Sequence, residues 1–91
     1  MNTNAQPKPE IEIFTGPNCS YCHRAKDVLA KRNLEYKEFD VSTAEGRSEM
    51  QRRLPLARSI PQIFLDGKHI GGCDDLERLD ASGGLPSSAS I

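Results

Sequence analysis

Ile11 and Ile13 alternate with Glu10 and Glu12, a period-two pattern that predicts a strand over Glu10–Thr15 with both isoleucines on one face. Gly16-Pro17-Asn18 breaks it, because Pro17 has no N–H for a ladder and turns Gly16 away from helix. From about Cys19 to Arg32 the period lengthens. Cys22, Ala25, Val28 and Leu29 recur at spacings of three and four, the stripe of an amphipathic helix, and Arg24, Lys26, Asp27, Lys31 and Arg32 occupy the rest of its surface. Asn33 suits the position just past the helix end. A second strand is expected over Glu35–Asp40, where Tyr36, Phe39 and the adjacent Val41 favour extended backbone. Ser42 or Thr43 can cap the next helix, the Ser42–Glu45 pair fitting a capping box, and Pro55 ends that helix after about Leu54. The apolar run Ile63-Phe64-Leu65, the turn Asp66-Gly67 and the return strand Lys68–Ile70 read as a hairpin. Gly71-Gly72 closes it. Asp74 or Asp75 is placed to cap a last helix with Leu76 and Leu79 inward, stopped by Ser82-Gly83-Gly84.

The order is therefore β-α-β-α-β-β-α. Strand, helix and strand at the start make a right-handed βαβ unit with parallel strands, and the later hairpin is antiparallel. Joined, they predict an α/β, thioredoxin-like fold: a four-stranded mixed β-sheet with three helices on both faces. The polar, proline-interrupted residues 1–9 read as a disordered tail, residues 10–85 as one domain and 86–91 as a flexible tail. The whole stretch from Leu85 to Ile91 is expected to fray.

Composition narrows the function. The 91 residues suffice for one small core, with 36% hydrophobic and 27% charged side chains. Twelve basic and 13 acidic groups give a net charge of −1, without the basic excess that nucleic-acid binding requires. No apolar run reaches the roughly 18–20 residues of a membrane span. The first residues lack a charged n-region and an apolar h-region, so a cytoplasmic location is expected.

Three cysteines remain: Cys19, Cys22 and Cys73. An odd number in a short chain does not read as a disulfide scaffold, and in a reducing compartment paired cysteines are more often redox-active or metal-binding than structural. Cys19-Ser20-Tyr21-Cys22 falls where a strand turns into a helix. A thiol there faces unpaired N–H groups and the positive end of the helix dipole, both of which favour thiolate. Cys19 precedes the regular helix and can be exposed; Cys22 returns beneath it. That geometry assigns attack to Cys19 and resolution to Cys22. Other readings stand beside this one. Two inert thiols would also fit the spacing. A zinc half-site would have to recruit from Cys73, His23 and His69. Cys19 to His23 also spells the C-x-x-C-H haem-attachment pattern, with Met50 the one interior methionine. The redox dithiol accounts best for the strand–turn–helix context.

At this point Cys19-Ser20-Tyr21-Cys22, then Ser59-Ile60-Pro61, then Gly71-Gly72-Cys73-Asp74-Asp75-Leu76 resemble a dithiol glutaredoxin. The likeness covers roughly Glu10 to Leu85, and Cys22-His23-Arg24-Ala25-Lys26, Pro61-Gln62-Ile63-Phe64 and Leu79-Asp80 extend it. The resemblance implies a glutathione-dependent thiol–disulfide oxidoreductase that reduces protein–glutathione mixed disulfides and protein disulfides. Glutathione is its co-substrate, its protein partners carry glutathionyl groups or disulfides, and it works as a monomer. Pro61 takes the place of the family's cis-proline, so that Ile60 can pair its backbone with the cysteine part of glutathione; otherwise Pro61 is an ordinary strand-start proline. Gly72, Cys73 and Asp74 match the loop for the γ-glutamyl end, where free N–H groups meet a carboxylate and Asp74 accepts from an ammonium. Tyr21 flanks the tripeptide, and Cys73 either lines the groove or serves as a regulatory thiol. Ser20 and Ser59-Ile60 depart mildly from the family's C-P-Y-C and T-V-P. Gly16 departs more, because the family commonly places a lysine there that steadies the thiolate and meets the glycine carboxylate. Arg58 is the best substitute and Arg47 a weaker one. The resemblance also carries an alternative: a [2Fe–2S] cluster carrier or redox sensor, in which Cys19 from each of two subunits and two glutathiones bridge the cluster.

Overall fold

The structure, a computed structural model, describes residues 9–86. Seven elements follow in the expected order: β1 (Ile11–Thr15), α1 (Ser20–Lys31), β2 (Lys37–Asp40), α2 (Ala44–Arg53), β3 (Gln62–Leu65), β4 (Lys68–Gly71) and α3 (Cys73–Ala81). The sheet order is β2-β1-β3-β4. β1 and β2 are parallel, with Glu12 opposite Lys37 and Phe14 opposite Phe39. β1 and β3 are antiparallel, as are β3 and β4, whose pairing shifts register between Ile63 and Phe64.

β1 is an inner strand, so both of its faces need cover. Ile11 and Ile13 point into a core with Ala25 and Leu29 of α1, Leu76 of α3 and Ile63 of β3. Phe14 points the other way, toward Met50 of α2 and Phe64. Glu12 lies on that second face too. Its carboxylate is bonded by Arg53 of α2 at 2.7 and 2.8 Å, so α2 is tied to the sheet by a charged pair above an aromatic floor. Helices thus cover both faces, α1 and α3 on one side and α2 on the other.

The turns follow residue chemistry. Asn33 adopts φ 56° behind α1, and Leu34 N–H returns to the Leu29 carbonyl at 3.0 Å. Asp66 and Gly67, at φ 51° and 81°, form the left-handed two-residue turn that matches hairpin twist.

Three local expectations are corrected. The cap of α2 is Thr43, whose hydroxyl accepts from Gly46 N–H at 3.0 Å. Ser42 instead donates its hydroxyl to Asp40 at 2.7 Å, so the Ser42–Glu45 box does not form. The cap of α3 is Gly72, not Asp74 or Asp75; Asp75 acts one turn later, accepting from Gly72 N–H at 3.1 Å. Leu85 does not fray: it is 5% exposed and belongs to the larger core. The tails assigned to 1–9 and 86–91 lie outside the described residues except at Pro9 and Pro86.

Candidate functional site

The β1–α1 turn places the cysteine pair. Asn18 takes a left-handed conformation, φ 56°, which only a few side chains tolerate, and Cys19 follows as the extended N-cap of α1. Cys19 and Cys22 are joined as a disulfide with Cα atoms 5.2 Å apart. Their burial is unequal. Cys22 is buried at 2% exposure, while Cys19 remains partly open to solvent. The Cys22 N–H aims at Cys19 Sγ from 3.2 Å. A thiolate formed at Cys19 would meet such a donor together with the helix N-terminus.

Across from the pair stands the loop before β3. The Ile60–Pro61 bond is cis, and the Ile60 carbonyl oxygen lies 4.0 Å from Cys19 Sγ. From here a groove of about 420 Å³ runs along the molecule, within the size range of small-ligand clefts. Tyr21, Ser59, Ile60, Pro61, Gln62, His69 and the run Gly71 to Asp75 line it. All seven residues that the sequence placed around a tripeptide besides Arg58 line this one groove: Tyr21, Ser59, Ile60, Pro61, Gly72, Cys73 and Asp74. Tyr21 is 54% exposed at the rim, with the Arg24 guanidinium 5.6 Å from its ring centre. Asp74 is exposed. Cys73 is buried at 4%, and burial, with Glu77 nearby, pushes its thiol up from the ordinary range. Gly72 offers its carbonyl to α3, and its N–H is held by Asp75, so the N–H groups left for a bound carboxylate are those of Cys73 and Asp74 in the first turn.

Arg58 does not line the groove, and neither does Arg47, which donates to the Val41 carbonyl at 3.4 Å. Among the described residues, no lysine or arginine lines it. Gly16 has a steric reason. A Cβ added there would stand 2.8 Å from Ile60 Cδ1, so a larger residue at 16 competes with isoleucine at 60. The two departures from the family pattern fit each other: valine has no δ-carbon to make that contact.

Gln62, which has no role in the sequence reading, and His69, which enters there only as a zinc-ligand alternative, both line the groove. Gln62 is buried at 9%, a polar side chain in an apolar strand, and that was the available signal. Among the described residues, no group of three or more His, Cys, Asp or Glu could hold a metal ion. A bridged cluster would therefore draw on Cys19 and on thiols from outside the chain. His23 is exposed on α1.

A sheet of this order, with a C-x-x-C pair capping the first helix opposite a cis-proline loop, defines a thioredoxin-like thiol–disulfide oxidoreductase. The comparisons carry this further. The family model described as Glutaredoxin matches residues 11–70. Glutaredoxin 3 of Escherichia coli K12 is 47% identical over 76 residues, covering 82% of this chain and 90% of the relative. The solution structure of a glutaredoxin from Brucella melitensis superposes with a TM-score of 0.68 at 42% identity, covering 90% and 92% of the two chains. A buckwheat glutaredoxin in complex with glutathione gives 0.71 at 26% identity, covering 82% and 71%. The chain belongs to the glutaredoxin family.

Proposed function

We propose that this glutaredoxin removes glutathionyl groups from protein thiols through Cys19 and uses Cys22 when the substrate is a protein disulfide. The supporting observation is the setting of Cys19: partly exposed, with the Cys22 N–H on its sulfur at 3.2 Å and the Ile60 carbonyl beside it at the mouth of the groove.

The Cys19 thiolate attacks the glutathione sulfur of a mixed disulfide. A new S–S bond forms, the old one breaks, and the protein leaves as a thiolate that takes a proton from water. A second glutathione thiolate then attacks the glutathione sulfur on Cys19, restoring Cys19 thiolate and releasing glutathione disulfide. For a protein disulfide, the Cys19 thiolate first attacks one substrate sulfur, forming a mixed disulfide and freeing the other substrate sulfur as a thiolate; Cys22 then gives up its proton and attacks Cys19, releasing the second substrate thiol and leaving the Cys19–Cys22 bond. Two glutathiones later reduce that bond.

In this reading Ile60 pairs its backbone with the cysteine part of glutathione, flanked by Ser59 and Pro61. Asp74 accepts from the α-ammonium, and the first turn of α3, with Cys73 and Gly72, takes the γ-glutamyl carboxylate. Tyr21 covers the tripeptide from the rim. Arg58, one residue before Ser59, reaches the glycine carboxylate with its long side chain from outside the groove wall. The folded unit is residues 10–85, acting as a monomer in the cytoplasm.

The test is a glutathione-coupled assay on a glutathionylated peptide. Cys22→Ser keeps deglutathionylation and Cys19→Ser abolishes it, while both lose reduction of a protein disulfide. Full activity in Cys19→Ser would overturn the assignment.

A further inference from the structure

Along the groove wall runs a short hydrogen-bond chain that the cysteine chemistry does not use. His69 Nε2 lies 2.8 Å from Gln62 Oε1. Gln62 Nε2 lies 3.1 Å from the Ser59 carbonyl and 3.3 Å from the Ser59 hydroxyl. The polarity of this chain can be worked out. A carbonyl only accepts, so the amide nitrogen of Gln62 must face Ser59. Its oxygen then faces His69, and His69 must present an N–H at Nε2. The imidazole is held for that task by Phe64, its cross-strand neighbour, with ring centres 5.1 Å apart.

The consequence reaches the groove through one peptide plane. Ser59–Ile60 is a trans peptide, since the single cis bond among the described residues is Ile60–Pro61. In a planar trans unit the carbonyl and the next N–H point in opposite directions. Drawing the Ser59 carbonyl toward buried Gln62 therefore fixes the Ile60 N–H on the opposite side of the plane, the orientation on which its pairing with the proposed tripeptide would depend.

We propose that His69, acting through Gln62, is a positioning residue that sets the Ser59–Ile60 peptide plane for glutathione. It makes no contact with the reacting sulfur. This rests on the reading of the groove as a glutathione site, and the experiment separates the two.

The measurements are KM and kcat for a glutathionylated peptide in wild type, His69→Leu, His69→Gln and Gln62→Glu, with nitrogen NMR of the His69 ring in the wild type. The Nε2–H tautomer is expected. His69→Leu leaves the buried amide oxygen without a donor, and Gln62→Glu removes the donor to Ser59. Each is expected to raise KM about three- to tenfold with kcat within about twofold. His69→Gln offers an amide N–H near the lost Nε2 and returns KM to within about twofold of wild type. A general loosening of the fold would not be rescued by glutamine. An Nδ1–H tautomer, an unchanged KM in the leucine and glutamate variants, or a glutamine variant no better than leucine overturns the positioning role while leaving the groove assignment standing. Wild-type protein that cannot turn over the glutathionylated peptide overturns both. Should the leucine variant not fold, the tautomer and the Gln62→Glu kinetics still decide.

Discussion

Replacing Arg53 by leucine should separate α2 from the sheet electrostatically while keeping an apolar stem in place. The guanidinium holds Glu12 through two bonds of 2.7 and 2.8 Å and Glu49 through one of 2.6 Å. It also lies 5.7, 5.5 and 5.2 Å from the ring centres of Phe14, Phe39 and Phe64. The Arg53 and Glu12 side chains are only 21% and 17% exposed, so solvent replaces little of what is lost. A largely desolvated two-pronged pair, removed from one side, costs about 2–3 kcal/mol, and leucine recovers only part of the ring contacts. The pH dependence carries the sign. Hydrogen bonding to Arg53 holds the Glu12 carboxyl below its ordinary 4.5, against the opposing effect of burial. A lowered carboxyl contributes stability that is present above the unfolded value and lost as pH falls through the folded one. The deficit of Arg53→Leu is therefore full at pH 7 and shrinks as pH drops below 4.5 and Glu12 protonates. Urea unfolding of wild type and variant, both reduced, at neutral and acidic pH reads it directly. A deficit under about 0.5 kcal/mol at neutral pH, or one equally large in acid, would refute the reasoning.

Gly46→Ala should cost more than a helix alanine normally gains, because its Cβ would land on the Asp40 carbonyl oxygen at the β2–α2 junction; a loss above about 2 kcal/mol in the same unfolding assay is expected, and a neutral effect would sink it. In the reduced protein, iodoacetamide should alkylate Cys19 well before Cys73, whose thiol is buried and raised above its ordinary range; peptide mapping that finds Cys73 modified first contradicts this. Gly16→Ala presses on Ile60 Cδ1 at 2.8 Å and should raise KM for the glutathionylated peptide, and Ile60→Val on the same chain should restore it. Additive effects in that cycle would mean the two positions are not coupled.

What was legible in the sequence was local. The Ile11–Ile13 alternation, the Asn33 stop, the Asp66-Gly67 turn and the cysteine pair at a strand–helix junction each carry their signal within a few residues. The misses came from choices that local chemistry leaves balanced or that only tertiary contacts decide. Ser42 and Thr43 are both competent caps, and the choice falls to Thr43 because the Asp40 carboxylate engages Ser42 first. Glu12 read as a polar alternate position, but on an inner strand that face is covered by α2 and the charge is matched by Arg53, 41 residues away. Leu85 looked like part of a small, polar tail, and burial against a core assembled from five elements leaves no trace in its neighbours. The His69–Gln62 pairing was hidden for another reason: it is a diagonal contact across the hairpin, His69 facing Phe64 and reaching Gln62 two residues along the same face.

Among the described residues no lysine or arginine lines the groove that opens beside Cys19, and this bears on how its sulfur is activated. Two sources of thiolate stabilisation are available in principle: a mobile cation nearby, or fixed N–H dipoles. They differ in their response to salt. A solvent-exposed cation acting over several ångströms is screened as the Debye length falls to about 3 Å near 1 M salt. A backbone N–H at 3.2 Å from the sulfur, as Cys22 supplies, is in direct contact with it, leaves no room for a screening ion between them, and is fixed in the first turn of α1. The rate of alkylation at Cys19, measured with Cys22 and Cys73 both changed to serine, should then respond only weakly to added salt. Gly16→Lys introduced together with Ile60→Val adds a cation where the side-chain conflict has been relieved, and should create the salt dependence that the wild type lacks. A wild-type rate that collapses in salt would show that a distant cation, and not the first turn of α1, holds the charge on this sulfur.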